Sequence, residues 1–210
     1  MLDKREVKIR NLIRKRQIHF SVILENVTDP HNIGAVMRTC DAVGITEIFL
    51  INTLDTEKNM VLGKRASSGA RKWVDVYEFV DLKIAFDFIK NKGYEHIWAT
   101  RIVENSKSLY EIDFTKKIAL LFGNEHKGLS EEASSHATGN FVIPQVGMVQ
   151  SLNISVACAV SLYEGYRQRS VAGMYDHSAL SESEQELIFK KYADRELVRF
   201  KGKSAIRVKY

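Results

Sequence analysis

The chain has 210 residues, of which 45% are hydrophobic and 27% charged, a globular composition that excludes a disordered or fibrous protein. Its net charge of +5 is uneven: residues 1–17 hold seven basic and two acidic side chains and residues 187–210 hold eight and two, whereas residues 18–186 have an acidic excess. We expect the two basic ends to contact a polyanion, although solvated terminal helices would give the same pattern.

The sequence also excludes several protein classes. No apolar segment approaches the roughly 18 residues of a membrane helix, and the charged N-terminus predicts no signal peptide. Only Cys40 and Cys158 are present, and they lack metal-ligand spacing. This argues against a disulfide or structural zinc scaffold and favours a reducing, cytoplasmic environment.

Alternating strand and helix patterns predict a single α/β domain. A helix is expected over 4–17, a buried strand over 19–27, a helix over about 32–43 and a strand over 46–52. The last three form the pattern of a parallel strand–helix–strand unit. Ser130 is expected to begin a further helix. The remaining elements are helices at 57–68, 81–92, 152–169 and 182–195 and strands at 73–79, 96–100, 117–123 and 140–144.

Three loops place glycine and polar residues directly after predicted strands, where open α/β sheets bind ligands. The first covers 29–35, the second 121–130 and the third 143–153. The second contains neither GxGxxG nor GxxxxGK[ST], so neither fingerprint of nucleotide binding is present. The third is unusually apolar, which suits a ligand with a flat ring. Each loop alone also has a structural interpretation, such as an Asn32 N-cap beside a surface Arg38.

Together these loops resemble the three motifs of the SpoU/TrmH family of SPOUT RNA 2′-O-methyltransferases. The matches are Asn-x-Gly-Ala-x-x-Arg-Thr at 32–39, Gly-Asn-Glu-x-x-Gly-Leu-Ser at 123–130 and Ile-Pro-x-x-Gly-x-x-x-Ser-Leu-Asn-x-Ser-Val-Ala at 143–157. The likeness runs nearly the whole chain and is greatest to tRNA (guanosine-2′-O-)-methyltransferases. It implies an α/β fold with a parallel sheet flanked by helices, a deep trefoil knot at about 117–165 and basic helical extensions at both ends.

The resemblance further implies a domain division, a cofactor and a partner. It divides the chain into a basic N-terminal helical arm (1–18), a methyltransferase domain (19–168) and a basic C-terminal helical arm (169–210). S-adenosylmethionine is the implied cofactor, tRNA the substrate, and a homodimer the expected assembly. The expected target is the ribose of the D-loop guanosine at position 18. An rRNA ribose methyltransferase of the same fold is the first alternative, and a non-catalytic RNA-binding protein is the second.

The same resemblance assigns roles to individual residues. Catalytic roles fall to Arg38, Asn32, Glu125, Ser151 and Asn153, and cofactor contacts to Thr100, Gly123, Ile143 and Leu152. Phosphate contacts with RNA are expected from Arg10, Arg16, Arg167 and Arg169.

Arg38 corresponds to the arginine that is proposed as the base in the family. Because a guanidinium stays protonated below about pH 12, we expect Arg38 instead to orient the ribose hydroxyl and stabilise the developing alkoxide. The residues leave the route of the proton open. Asn32 and Glu125 would orient Arg38 or the loops, whereas Ser151 and Asn153 would organise the third loop. For these four residues, helix caps and loop ties are the structural alternatives.

Overall fold

Eight parallel strands form one sheet in the computed structural model, which describes residues 4–54, 69–198 and 207–209. The strands are β1 (Phe20–Glu25), β2 (Glu47–Ile51), β3 (Asp75–Phe79), β4 (His96–Thr100), β5 (Lys107–Ser108), β6 (Ile118–Phe122), β7 (Gly139–Val142) and β8 (Arg207–Lys209). Their order across the sheet is β5-β7-β4-β6-β1-β2-β3-β8. Parallel pairing of β1 with β2, with Val22 opposite Ile48, confirms the predicted strand–helix–strand unit.

Helices cover both faces of this sheet. They are α1 (Lys4–Arg14), α2 (Pro30–Ala42), α3 (Leu82–Asn91), α4 (Glu131–Ser135), α5 (Ile154–Val171) and α6 (Glu182–Val198). Val22 and Leu24 share a core cluster with residues of α2 and α5, whereas Ile23 belongs to a second cluster with residues of α3. Burial on both faces explains why the central strands are nearly continuous apolar runs in the sequence.

Helix α5 approaches the sheet closely because Gly165 has no side chain. A Cβ atom on Gly165 would lie 2.5 Å from the ring of Phe20 and 2.9 Å from that of Phe114. This close approach fixes the helix that follows the third loop, and therefore the position of that loop relative to β1.

The predicted elements agree with the described ones to within a few residues, with specific differences. Helix α2 begins at Pro30 because Asp29, rather than Asn32, caps it by accepting a hydrogen bond from the backbone N–H of His31. The short strands β5 and β8 were not predicted, since two or three residues carry too little periodicity. The helix predicted at 57–68 lies outside the described residues.

The two terminal segments pack against each other and against the sheet domain. Ile9 and Ile13 of α1 form a buried cluster with Leu180 and Tyr192. The Tyr192 hydroxyl donates a 2.8 Å hydrogen bond to the carbonyl of Trp73. Within the described part of the chain, no helix is long and apolar enough to cross a membrane.

Candidate active site

A cavity of about 460 Å³ opens at the carboxyl ends of β4, β6 and β7. Its size lies within the roughly 300–1,000 Å³ of small-molecule pockets. All four expected cofactor contacts line it, and so do three of the expected catalytic residues: Thr100, Gly123, Ile143, Leu152, Glu125, Ser151 and Asn153. The structure therefore brings residues of the second and third loops together around one space.

Asn32 joins the first loop to the other two. Its side-chain amide donates a 2.7 Å hydrogen bond to Oε1 of Glu125, and its Oδ1 accepts one of 3.2 Å from the Asn153 amide. Asn153 also caps α5, because its Oδ1 accepts from the backbone N–H of Ser155 at 2.9 Å. Because Asp29 caps α2, the side chain of Asn32 is available for these contacts, and the Asn32 N-cap alternative is wrong.

The second loop is tightly wound at its base. Asn124 and Gly128 exchange two backbone hydrogen bonds of 3.0 and 2.9 Å. A Cβ atom on Gly123 would lie 2.3 Å from the carbonyl carbon of Gly128, so only glycine fits at this crossing. Ser130 caps α4 as predicted, its hydroxyl accepting from the backbone N–H of Ala133.

The third loop exposes several apolar side chains to solvent. Val146 and Met148 are essentially fully exposed in the single chain, and Val149 is 65% exposed. Ser151 is also exposed and makes no hydrogen bond to any residue that the structure describes. Leu152 is half-buried and lines the cavity. These three neighbouring side chains form an exposed apolar patch on the third loop.

Arg38 does not join the other expected catalytic residues. It lies on α2, six residues after Asn32, where the helical repeat turns its side chain about 120° away from that of Asn32. It is exposed, does not line the cavity and has no hydrogen-bond or ion-pair partner among residues 4–54, 69–198 and 207–209. Within one chain, the structure therefore does not place this guanidinium beside the cavity.

Of the four arginines expected to contact RNA, Arg167 is exposed and Arg10 is partly exposed. The Arg167 side chain is 63% exposed and forms a two-point ion pair with Glu164 on the same helix. Arg10 is partly exposed, pairs with Glu6 and Glu186, and lies over the ring of Phe189. These carboxylates raise the pKa of both arginines, and a phosphate would compete with them for the guanidinium groups.

The other two arginines are buried, which corrects the expectation that they contact phosphates. Arg16 is fully buried and donates to the carbonyls of Ile45 and Trp73 and to the carboxylate of Asp41. Arg169 is 1% exposed and donates to three backbone carbonyls and to Gln17. Both guanidinium groups link segments of the fold, and neither is exposed for a phosphate contact.

Two residues near the cavity carry interactions that sequence reasoning missed. Arg101 lines the cavity and forms an ion pair with Glu131, which raises the pKa of Arg101. Glu25, at the end of β1, is buried and bonded to Ser130. A charged residue inside an otherwise apolar strand was the signal that could have identified Glu25.

The cysteines contribute no nucleophile to this site. Cys40 and Cys158 are free and completely buried between α2 and α5. Burial raises the pKa of both thiols, so neither forms a thiolate at neutral pH.

Comparisons with known proteins agree with this architecture. The sequence profile of the SpoU rRNA Methylase family matches residues 19–163. The tRNA (guanosine(18)-2′-O)-methyltransferase of Thermus thermophilus is 43% identical over 192 residues, covering 91% of this chain and 95% of that enzyme. The crystal structure of the Aquifex aeolicus TrmH/SpoU tRNA modifying enzyme superposes with a TM-score of 0.83 at 36% identity, covering 92% of this chain and 97% of that one.

A further solved structure contains a cofactor. The SpoU methyltransferase AviRb of Streptomyces viridochromogenes, in complex with AdoMet, superposes with a TM-score of 0.64 at 26% identity. The match covers 75% of this chain and 59% of that one.

Proposed function

This chain belongs to the SpoU rRNA Methylase family, and we propose that it transfers a methyl group from S-adenosylmethionine to the ribose 2′-hydroxyl of guanosine 18 in the D-loop of tRNA. The main observation behind the proposal is the cavity between the three loops. Hydrogen bonds among Asn32, Glu125 and Asn153 join these loops. Similarity to a tRNA enzyme over 95% of that enzyme's length supports tRNA as the substrate.

The cavity fits S-adenosylmethionine in its chemistry. Ile143, Leu152 and Ala157 give it an apolar wall that suits a purine ring, while Arg101 and Glu125 offer opposite charges to the carboxylate and ammonium groups of the methionine end. When bound, the cofactor supplies an electrophilic methyl group. The residues of this chain therefore need only bind, orient and stabilise, which agrees with the absence of a thiolate nucleophile.

The position of Arg38 supports a homodimer with shared active sites. We propose that Arg38 of a second copy completes each cavity, because the Arg38 of the same chain points elsewhere. Helix α5, which packs beside α2, exposes Val156 and Tyr163, and the third loop exposes Met148. A second copy that covers these apolar groups would gain the free energy of burying them.

In this arrangement, Arg38 orients the ribose hydroxyl and an adjacent phosphate through its planar array of donors. The guanidinium would stabilise the negative charge that develops on the 2′-oxygen as its proton passes to a phosphate oxygen or to solvent. The bound cofactor would supply the methyl group to that oxygen and leave as S-adenosylhomocysteine when its carbon–sulfur bond breaks. The Asn32, Glu125 and Asn153 network holds the loops that align the two reactants. Ser151, exposed at the cavity, is available to the bound molecules.

We also propose the trefoil knot over about 117–165 and a tRNA surface that includes Arg10 and Arg167. Membership of the family supports the knot, because the family match over residues 19–163 includes nearly all of that segment. The exposure of Arg10 and Arg167 supports phosphate contacts. We also propose the domain division at residues 18 and 168. Both terminal segments then pack closely on the central domain.

The proposed function is tested by incubating the protein with S-adenosylmethionine and unmodified tRNA and mapping 2′-O-methyl groups by mass spectrometry. Methylation at guanosine 18, absent from a tRNA with adenosine at that position, is expected. Methylation of 23S rRNA but not tRNA would identify an rRNA enzyme. RNA binding without methyl transfer to either RNA would identify a non-catalytic protein.

The shared active site is tested by mixing two inactive variants, Arg38→Ala and Gly123→Val. Subunit exchange should restore about a quarter of wild-type activity, because half of the dimers are then mixed and each has one complete site. Confirmed exchange without recovery would contradict the contribution of Arg38 from a second copy.

A further inference from the structure

We infer that Glu25, which lies outside the three motifs, is a positioning residue that holds the second loop in its cofactor-binding conformation. The inference rests on the proposed function, since it concerns affinity for S-adenosylmethionine. It assigns to the end of β1 a role beyond the hydrophobic core.

The carboxylate of Glu25 binds the carboxyl-terminal end of the second loop. Glu25 is the last residue of β1 and is 1% exposed. Its two oxygens accept hydrogen bonds from the backbone N–H of Ser130 at 2.9 Å and from the Ser130 hydroxyl at 2.5 Å. The same hydroxyl accepts from the N–H of Ala133 at 3.0 Å and so begins α4. Glu25 thus determines where the loop ends and the helix starts.

Asn26, the next residue, binds the amino-terminal end of the same loop. The carbonyl of Asn26 accepts a 2.8 Å hydrogen bond from the side-chain amide of Asn124. Asn26 adopts a left-handed conformation with φ of 54°, and its side chain is fixed by the backbone and hydroxyl of Thr53. Two consecutive residues at the end of β1 therefore hold both ends of the loop between Asn124 and Ser130.

Movement at Ser130 would be transmitted to the cavity. Gly128 lies two residues before Ser130, and its backbone packs against Gly123, where a Cβ atom would lie 2.3 Å from the carbonyl carbon of Gly128. Gly123, Glu125 and Gly128 all line the cavity, and Glu125 also accepts the hydrogen bond from Asn32. Loss of the Glu25 contact would therefore disturb the cavity wall and its link to the first loop.

The character of Glu25 supports a role beyond packing. A carboxylate is costly to bury, and Glu25 has no ion-pair partner among the residues that the structure describes. An apolar side chain would fill the end of a buried strand without this cost. The charge strengthens the two hydrogen bonds to Ser130, because charged acceptors make stronger hydrogen bonds than neutral ones.

The test compares Glu25→Gln with a matched control, Glu47→Gln. Glu47 is also a largely buried carboxylate of the sheet, but it lies at the amino end of β2, bonded to Lys92 at 2.8 Å and to the Tyr94 hydroxyl at 3.0 Å. Both variants should lower the unfolding temperature. Only Glu25→Gln should weaken the binding of S-adenosylhomocysteine, measured by calorimetry, by about ten-fold or more.

Two further measurements separate positioning from general stability. In the free protein, Glu25→Gln should accelerate hydrogen exchange of the Asn124 and Gly128 amides, which Glu47→Gln should leave unchanged. In the methyl-transfer assay, Glu25→Gln should raise KM for S-adenosylmethionine more than it lowers kcat. Ser130→Ala removes the hydroxyl contacts with Glu25 and with the Ala133 N–H but keeps the backbone hydrogen bond to Glu25, and it should show the same pattern.

Unchanged affinity in folded Glu25→Gln protein, or an equal loss of affinity in Glu47→Gln, would overturn the inference. Should the wild-type protein bind no cofactor analogue, the proposed function fails. Unchanged exchange at Asn124 and Gly128 in Glu25→Gln would by itself refute the loop-holding role.

Discussion

Replacing Arg169 by alanine should strongly destabilise the protein, whereas replacing Arg167 should not. The two arginines are two residues apart on α5, and phosphate contacts were expected from both. The Arg169 guanidinium donates 2.8 Å hydrogen bonds to the carbonyls of Phe114 and Lys116 and lies 4.5 Å from the centre of the Phe20 ring. Arg167 faces solvent.

The magnitude follows from the groups that Arg169→Ala leaves unpaired. The carbonyls of Phe114 and Lys116 lose their charged donor, and each unpaired buried acceptor costs about 1–3 kcal/mol. With the cavity that the missing side chain leaves, we expect a loss of about 3–6 kcal/mol in the free energy of unfolding. For a chain of this size, that corresponds to a fall of roughly 6–24 °C in Tm. Arg167→Ala should change the unfolding free energy by less than about 1 kcal/mol, as exposed ion pairs do.

Urea and thermal unfolding followed by circular dichroism measure both effects. Burial lowers the pKa of Arg169 to about 10, below the ordinary range of a guanidinium, so the group is protonated in folded and unfolded protein at neutral pH. Its contribution should therefore be constant from about pH 6 to 8, and should rise with pH only above about pH 10, where the unfolded chain binds more protons than the folded protein. Equal unfolding temperatures for the two alanine variants, with tRNA affinity lost in Arg169→Ala, would refute the structural role.

Four further predictions concern the terminal segment, the loops and the RNA surface. Deleting residues 1–17 should lower the unfolding midpoint in urea, because Ile13 and Arg16 are buried; an unchanged midpoint would show that this segment is a detachable arm. Arg38→Ala should abolish methyl transfer while calorimetric affinity for S-adenosylhomocysteine stays near wild type, and equal loss of both would contradict its role toward RNA. Gly123→Ala should weaken that affinity, since the added Cβ collides with backbone, and normal binding would show that the loop relaxes. Arg167→Ala should lower the slope of log tRNA affinity against log salt by about 0.7–0.9, whereas an unchanged slope would exclude a phosphate contact.

The order of the strands and helices was accessible from the sequence because its signals are local. Hydrophobic periodicity, the Asp29-Pro30 break and the serine that begins α4 each act within a few residues. The three loops were identified for the same reason, since glycine and polar residues mark the ends of strands wherever they occur. The resemblance to a known family then grouped these loops into one site.

Contacts between distant segments were decided by the tertiary structure alone. Asn32 bonds to Glu125 and Asn153, which lie 93 and 121 residues away, and no local pattern specifies that pairing. The side chain of Asn32 is available for these contacts because Asp29 caps α2. Capping propensity alone does not distinguish Asp29 from Asn32.

The arginines show the limit most clearly. Arg167 and Arg169 are two residues apart, so a helix turns them to opposite sides, yet the sequence predicted phosphate contacts from both. It did not say which of them points inward. Burial of Arg169 depends on the carbonyls of Phe114 and Lys116 meeting its guanidinium, and burial of Arg16 on those of Ile45 and Trp73. A charge is stable inside a protein only where such partners converge, and only the assembled fold brings them there.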